Sequence, residues 1–476
     1  MEFENLKIHQ TALDSLDFTT AGELTISTLE ISLTSSQLST LSAWEFTHWV
    51  AIDNWLTDYF PDDNATNLDK VRGYLEAFHH LCELAEWEKA FKILFIDTSY
   101  FGGNKVLHEQ LFIWGYYQEQ VNFYKRLLNK FGLKCDCFLF HGLGKAYDYL
   151  GKVEEAIYYY QQQLVIADQV NDDLSKAQAH GGLGRIYEWQ LEQYQESIFH
   201  YQQQLEISQK INDNKQEASA IFGIATAYLG CLEYHKAIKF ATQALSIVQI
   251  LNDVEMETNI LGFIGVVYAQ LGLPDKGLNF IEQQLKLSLE QGNKYQECMA
   301  LSRLGLYYTN LEEYDISLEY YHKALKIIDF CGEPRQKSRL LLNLGFIYSQ
   351  IKQYSLAIEY LKLALQISIL MTGKYQEVYV RINLAYCYIC LKQPEGFEHL
   401  QIALNIATNL KSSELLGIVF AGLANYYWHQ GNYIYGLMLI IKSLWIHPPW
   451  KSTNAQTTFK IAMQIIGNSL IFWRKK

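Results

Sequence analysis

Proline is scarce: six in 476 residues, with Pro448 and Pro449 adjacent near the end. A residue that fixes φ and has no N–H breaks helices, so its scarcity suits a mostly helical chain. Long apolar runs are missing too. No uninterrupted stretch approaches the roughly 18 residues that a membrane-spanning helix needs. The nearest, Tyr433–Ile446, is short and carries Lys442. Positive charge is in deficit: 39 Lys and Arg stand against 51 Asp and Glu, a net charge of −12. That argues against general nucleic-acid binding, which needs a basic surface. The eight cysteines sit at irregular spacings, which is not a disulfide framework. The start has no basic segment followed by an apolar core and a cleavage site. A cytoplasmic protein is expected.

Catalytic and cofactor motifs are also lacking. Gly144-Lys145 and Gly151-Lys152 have no preceding glycine at nucleotide-loop spacing, and no zinc-protease, EF-hand or nucleophile-elbow pattern occurs. Cys387 and Cys390 form a C-x-x-C within a helical pattern, with no second pair at zinc-site spacing. Packing roles are the better reading for these, for Cys135 and Cys137, and for His79 and His80. The glutamine runs Gln161–Gln163 and Gln202–Gln204 read as solvated helix faces. No enzyme, cofactor or metal site is expected.

What is present is a repeat. A Gly or Ala followed three residues later by Tyr recurs eight times: Gly144/Tyr147, Gly184/Tyr187, Ala225/Tyr228, Gly265/Tyr268, Gly305/Tyr308, Gly345/Tyr348, Ala385/Tyr388 and Ala424/Tyr427. The small anchors are 39 to 41 residues apart. A fixed period of this size means stacked units that bury their apolar faces on one another. Each anchor is followed after 11 to 13 residues by a second small residue: Ala156, Ser197, Ala237, Gly277, Ser317, Ala357, Gly396 and Gly436. A leucine comes eight residues later, from Leu164 to Leu444. Two helices approach closely only where facing side chains are small. The recurring Tyr is expected to fill the space between one helix pair and the next.

This pattern resembles the tetratricopeptide repeat, in a long form of about 40 residues similar to the LGN/Pins-like type of many bacterial proteins. The resemblance implies an all-α fold, a right-handed α-solenoid superhelix of antiparallel helix pairs. The expected organisation is an acidic segment over 1–37, a divergent helical region with degenerate repeats over 38–133, eight repeats over 134–446, and a capping helix over 447–476. Residues 1–70 carry a net −10 and residues 374–476 a net +6.

In that family the first helices line a concave groove, at offsets three before, one after and four after the anchor. Those offsets imply groove residues Lys145, Arg185, Phe222, Leu229, Val266, Leu306, Leu342, Phe346, Ile382, Tyr386, Ile389 and Trp428. With Asp148 and Glu188, the first two units present charge and the later ones apolar groups. The expected function is a scaffold or adaptor that binds a protein segment, an amphipathic helix or extended peptide, in the groove. One alternative is a signalling receptor that senses a short peptide. Another is a membrane-associated assembly factor acting through the apolar, basic C-terminus. A further reading is that Leu38–Phe60 folds back into the groove. The sequence does not fix the oligomeric state.

Overall fold

The computed structural model describes residues 41–62, 65–99, 105–331, 334–371 and 373–448. The acidic segment 1–37 and the expected capping helix beyond Pro448 fall outside those residues. The chain divides into two compact units, Met1–Lys130 and Phe131–Lys476. The described residues are helical throughout, apart from turns and one isolated bridge between Asp97 and Val106.

The first unit holds α1 (Ala43–Thr57), α2 (Asn67–Lys70), α3 (Arg72–Glu83), α4 (Trp87–Ile93), α5 (Leu107–Ile113) and α6 (Tyr117–Leu127). Ser42 starts α1 with a capping box: its hydroxyl accepts from the Glu45 N–H, and the Glu45 carboxylate accepts from the Ser42 N–H. Trp49, Ile52 and Leu56 recur at helical spacing and are buried. Helix α1 packs on α3, and Gly73 allows the contact, since a Cβ there would stand 2.4 Å from the Trp55 carbonyl oxygen.

The described residues of the second unit form a stack of eight helix pairs. They are α7 (Leu133–Tyr149) with α8 (Val153–Gln169), α9 (Asp173–Trp189) with α10 (Tyr194–Ile211), α11 (Asn214–Gly230) with α12 (Tyr234–Leu251), and α13 (Val254–Gln270) with α14 (Pro274–Glu290). There follow α15 (Lys294–Asn310) with α16 (Tyr314–Cys331), α17 (Pro334–Gln350) with α18 (Tyr354–Leu370), α19 (Lys374–Cys390) with α20 (Glu395–Asn409), and α21 (Ser413–His429) with α22 (Tyr433–Ile446). Between repeats the chain turns through left-handed Asn171, Asn212 and Asn252, a conformation Asn tolerates. The next residue, Asp172, Asp213 or Asp253, then caps the following helix.

The small anchors work as their sizes require. A Cβ on Gly144 would stand 2.9 Å from the Tyr160 ring, and one on Gly305 would stand 2.8 Å from the Tyr321 ring. The second small residue meets the anchor's backbone: Ser317 Oγ donates to the Gly305 carbonyl at 2.7 Å, and a Cβ on Gly277 would lie 2.5 Å from the Gly265 oxygen.

The recurring Tyr packs toward the preceding repeat, as Tyr388 does in the core shared with Leu361 and Ala364, and it has a second partner that was not expected. It stacks inside its own repeat, on an aromatic or His side chain of the second helix. Tyr147 lies on Tyr159, Tyr187 on His200, Tyr228 on Phe240 and Tyr268 on Phe280. Tyr308 lies on Tyr320, Tyr348 on Tyr360 and Tyr388 on His399. In the last repeat Tyr427 meets Tyr435 edge to face. The stack lies beside the turn that joins the two helices of a pair and orients them within the unit, while Tyr348 also reaches His322 of the preceding repeat, OH to Nε2 at 3.1 Å.

Candidate binding groove

The first helices form one wall. Helix α7 packs on α9, α9 on α11, α13 on α15, α17 on α19, and α19 on α21. Side chains bridge several of these helices to the one a repeat later. Phe222 meets Phe263 edge to face at 5.2 Å, and Gln296 Nε2 donates to Asn259 Oδ1 at 3.4 Å. Arg339 Nη2 reaches Met299 Sδ at 3.5 Å, and Tyr379 OH donates to a Glu414 carboxylate oxygen. Second helices cover one side of the wall. Its other side carries, at spacings of four or seven that keep one helix face, the open Tyr295 and Leu306 and the half-buried Met299 on α15, and the open Arg339 and Phe346 on α17.

The array curls until its ends meet. Arg335, at the start of the sixth repeat's first helix, donates from Nη2 to the Tyr149 carbonyl at 3.1 Å. Its guanidinium lies 4.1 Å from the centre of the Tyr149 ring. Tyr375 OH, in the seventh repeat, donates to the Gln190 carbonyl at 3.1 Å. In the eighth, Ser413 Oγ and His447 Nε2 each stand 3.4 Å from Glu192 Oε2. The ends of the first two inner helices thus touch the starts of the last three, and the wall faces inward. His447, where the repeat pattern breaks, is fully buried at this closure.

The tetratricopeptide repeat family profile matches residues 139–174, 175–250 and 296–369. This chain carries tetratricopeptide repeats. No curated protein sequence matches it. Among solved structures it is similar to a Rap protein complexed with competence and sporulation factor, at 15% identity over 72% of this chain and 99% of that one, with a TM-score of 0.49. It is similar to the apo form of the quorum sensor NprR from B. thuringiensis, at 13% identity over 80% and 99%, with a TM-score of 0.47. It is also similar to aspartyl phosphate phosphatase F from Bacillus subtilis, at 15% identity over 75% and 96%, with a TM-score of 0.45. At TM-scores below 0.5 these are similarities and nothing more.

On the tetratricopeptide wall, the implied groove residues divide. Leu306 and Phe346 are open, at 43% and 39% exposure. Val266, Leu342, Ile382, Tyr386, Leu229 and Trp428 are half-buried. Phe222 is half-buried against Phe263, and Lys145 is half-buried on the first repeat. Two assignments are corrected. Ile389 is 6% exposed and belongs to the core of the last two repeats, where Gly396 leaves room for it. Arg185 is committed to its own neighbours: it pairs with Asp148 at 2.8 Å and lies against the Tyr149 ring.

The charged entrance expected at the first two repeats is therefore largely neutralised. Asp148 and Arg185 cancel. Glu188 is buried and accepts hydrogen bonds from Tyr201 OH at 3.3 Å and Thr226 Oγ1 at 2.9 Å. Burial pushes its carboxyl up to about 8, and the two hydroxyls and Arg185 only partly oppose that. At neutral pH it is a protonated acid, not a surface charge.

Sequence reasoning missed Arg303 and Arg339. They stand two and six residues before their anchors Gly305 and Gly345, outside the three offsets applied. Among the described residues, no group of His, Cys, Asp or Glu side chains is arranged to hold a metal ion, and no helix is long and apolar enough to cross a membrane.

Proposed function

We propose that the repeat array is a non-catalytic scaffold or adaptor that binds a protein segment, an amphipathic helix or an extended peptide, along the wall of first helices. The observation that carries this is the pair Leu306 and Phe346, open one repeat apart on adjacent inner helices. Val266, Leu342, Ile382, Tyr386 and Trp428 extend the same wall half-buried. Contiguous apolar surface of this kind marks a partner site, and aromatic anchors concentrate binding energy. Such a strip suits the apolar face of a helix or alternate side chains of a strand.

The test is selection of random dodecapeptides on the full chain, followed by titration against a Phe346→Glu, Tyr386→Glu double variant. Binding weakened more than tenfold, with helical circular dichroism retained, supports the groove. Unchanged affinity moves the site elsewhere. Collapse of the helical signal sinks the assignment of these two residues to an open wall.

A second reading, a receptor that senses a short peptide, draws support from the closure at Tyr149, Gln190 and Glu192. A ligand laid on the wall would favour one spacing of the touching repeats over others.

A further inference from the structure

We propose that Arg303 and Arg339 form an anion site at the middle of the wall, which takes an acidic side chain of the bound segment. This rests on the groove reading above. The two arginines come from the first helices of the fifth and sixth repeats, and Arg339 reaches back to Met299 on the helix that carries Arg303. Neither is paired with a carboxylate among the described residues. The contrast with other inner-helix arginines is direct: Arg185 has Asp148 at 2.8 Å, and Arg381 has Glu377 at 2.7 Å.

Arg303 is held in place by what lies beneath it. Its Nη1 is closed off from water and has no hydrogen-bond partner. It occupies the space that a side chain on Gly262 would need, since a Cβ there would stand 2.4 Å from Nη1. The same point is 2.4 Å from Gln284 Oε1, and both polar side-chain atoms of this fully buried glutamine lack a partner. Burial, and then the nearby Arg339, bring the guanidinium down to about 10. A half-buried cation, Arg303, and an exposed one, Arg339, thus stand on neighbouring inner helices with no paired carboxylate among the described residues. A carboxylate gains from both at once, and its attraction to the half-buried Arg303 is less screened than at an open surface. The cost of ordering and desolvating Arg303 is already met by the fold, the condition for tight recognition.

Position selects an internal acid over a chain end. The arginines lie in repeats five and six of eight, with Val266 and Leu306 toward one end and Phe346, Ile382 and Tyr386 toward the other. A segment lying along these apolar groups crosses the arginines with residues on both sides.

Two arms test this on the full chain. The first needs no peptide. N-acetyl-aspartate amide is titrated while the arginine Nε–Hε signals are followed by NMR; the sequence has eight arginines, assignable by substitution. Saturable shifts of Arg303 and Arg339, lost in Arg339→Gln, are expected. The second arm uses the selected dodecapeptides, each made with amidated C-termini. They should share an Asp or Glu at one internal position. Arg303→Gln, and separately Asp→Asn or Glu→Gln in the peptide, should each weaken binding at least tenfold, with no further loss when combined. Arg303→Gln should melt no lower than the parent, which separates lost recognition from lost folding. Peptides that bind without acid preference and ignore Arg303→Gln overturn the anion site and leave the groove standing. NMR shifts without any selected peptide overturn the groove and with it the proposed occupant. Dependence on a free C-terminal carboxylate overturns the internal-acid assignment.

Discussion

Glu188 offers a test of how the first repeats hold charge. In an unfolded chain its carboxyl titrates near the ordinary value of 4.5, whereas in the fold burial raises it to about 8. Between those limits the unfolded chain has lost the proton and the folded one has kept it. Unfolding then releases a proton, so stability falls as pH rises. The contribution is fully present below pH 4.5 and lost by pH 8. Each pH unit is worth about 1.4 kcal/mol. The carboxyl therefore costs the fold about 3 kcal/mol at pH 7 and up to about 5 kcal/mol at pH 8. Glu188→Gln keeps an oxygen to accept from Thr226 and Tyr201 and removes the titration.

The assay is urea denaturation of parent and variant, followed by circular dichroism from pH 5 to pH 8.5. Every other titrating group is shared, so the difference between the curves isolates this one. The variant should be of similar stability at pH 5 and more stable by an amount that widens steadily toward pH 8. Parallel curves across that range would falsify the assignment of a protonated Glu188, and would restore a charge to the groove entrance.

His141 predicts the opposite limb. Burial, then Lys145 and Arg185, hold its imidazole down to about 4, and its Nδ1 is enclosed without a partner. The unfolded chain takes a proton near pH 6.5 and the fold resists, so up to about 3 kcal/mol is lost as pH falls from 6.5 to 4; His141→Gln should flatten that acid limb in the same assay. Gly305→Ala should destabilise by about 1–3 kcal/mol, because overpacking the Tyr321 ring outweighs the gain in helix propensity. Gly373→Ala is its control and should be near neutral, since the nearest atom lies 3.6 Å from the new Cβ. Glu192→Ala with Arg335→Ala should raise the radius of gyration in X-ray scattering while helix content holds; an unchanged value would show that these contacts do not set the curl.

The eight anchors were legible because their chemistry is an absence. A side chain on Gly144 or Gly305 collides with a ring, so smallness recurs wherever the pairs close. The partner of each recurring Tyr was less legible. Tyr159, Phe240, Phe280, Tyr320 and Tyr360 follow at a fixed 12 residues, but in sequence this spacing looks like one more apolar position of the second helix. Only the pairing of two helices shows the rings to be parallel. The corrected groove residues have a common cause. An offset says which face of a helix a residue is on, not what its neighbours do there. Arg185 was taken by Asp148 from the preceding repeat, and Ile389 by the room at Gly396.

The closure was not legible at all, and it bears most on function. Arg335 and Tyr149 are 186 residues apart, and Glu192 and Ser413 are 221 apart. No local period encodes such pairs, because they depend on the summed small rotations of several repeats. A solenoid without them changes pitch freely. Here a few polar contacts tie the ends of the first two inner helices to the starts of the last three. Each such contact contributes about 1 kcal/mol. Their sum is small beside the energy holding any one repeat together, and similar to what a ligand can spend on preferring one of two states. A segment bound on the inner wall would be read out where the ends touch, at Tyr149, Gln190 and Glu192, rather than by any change within a helix pair.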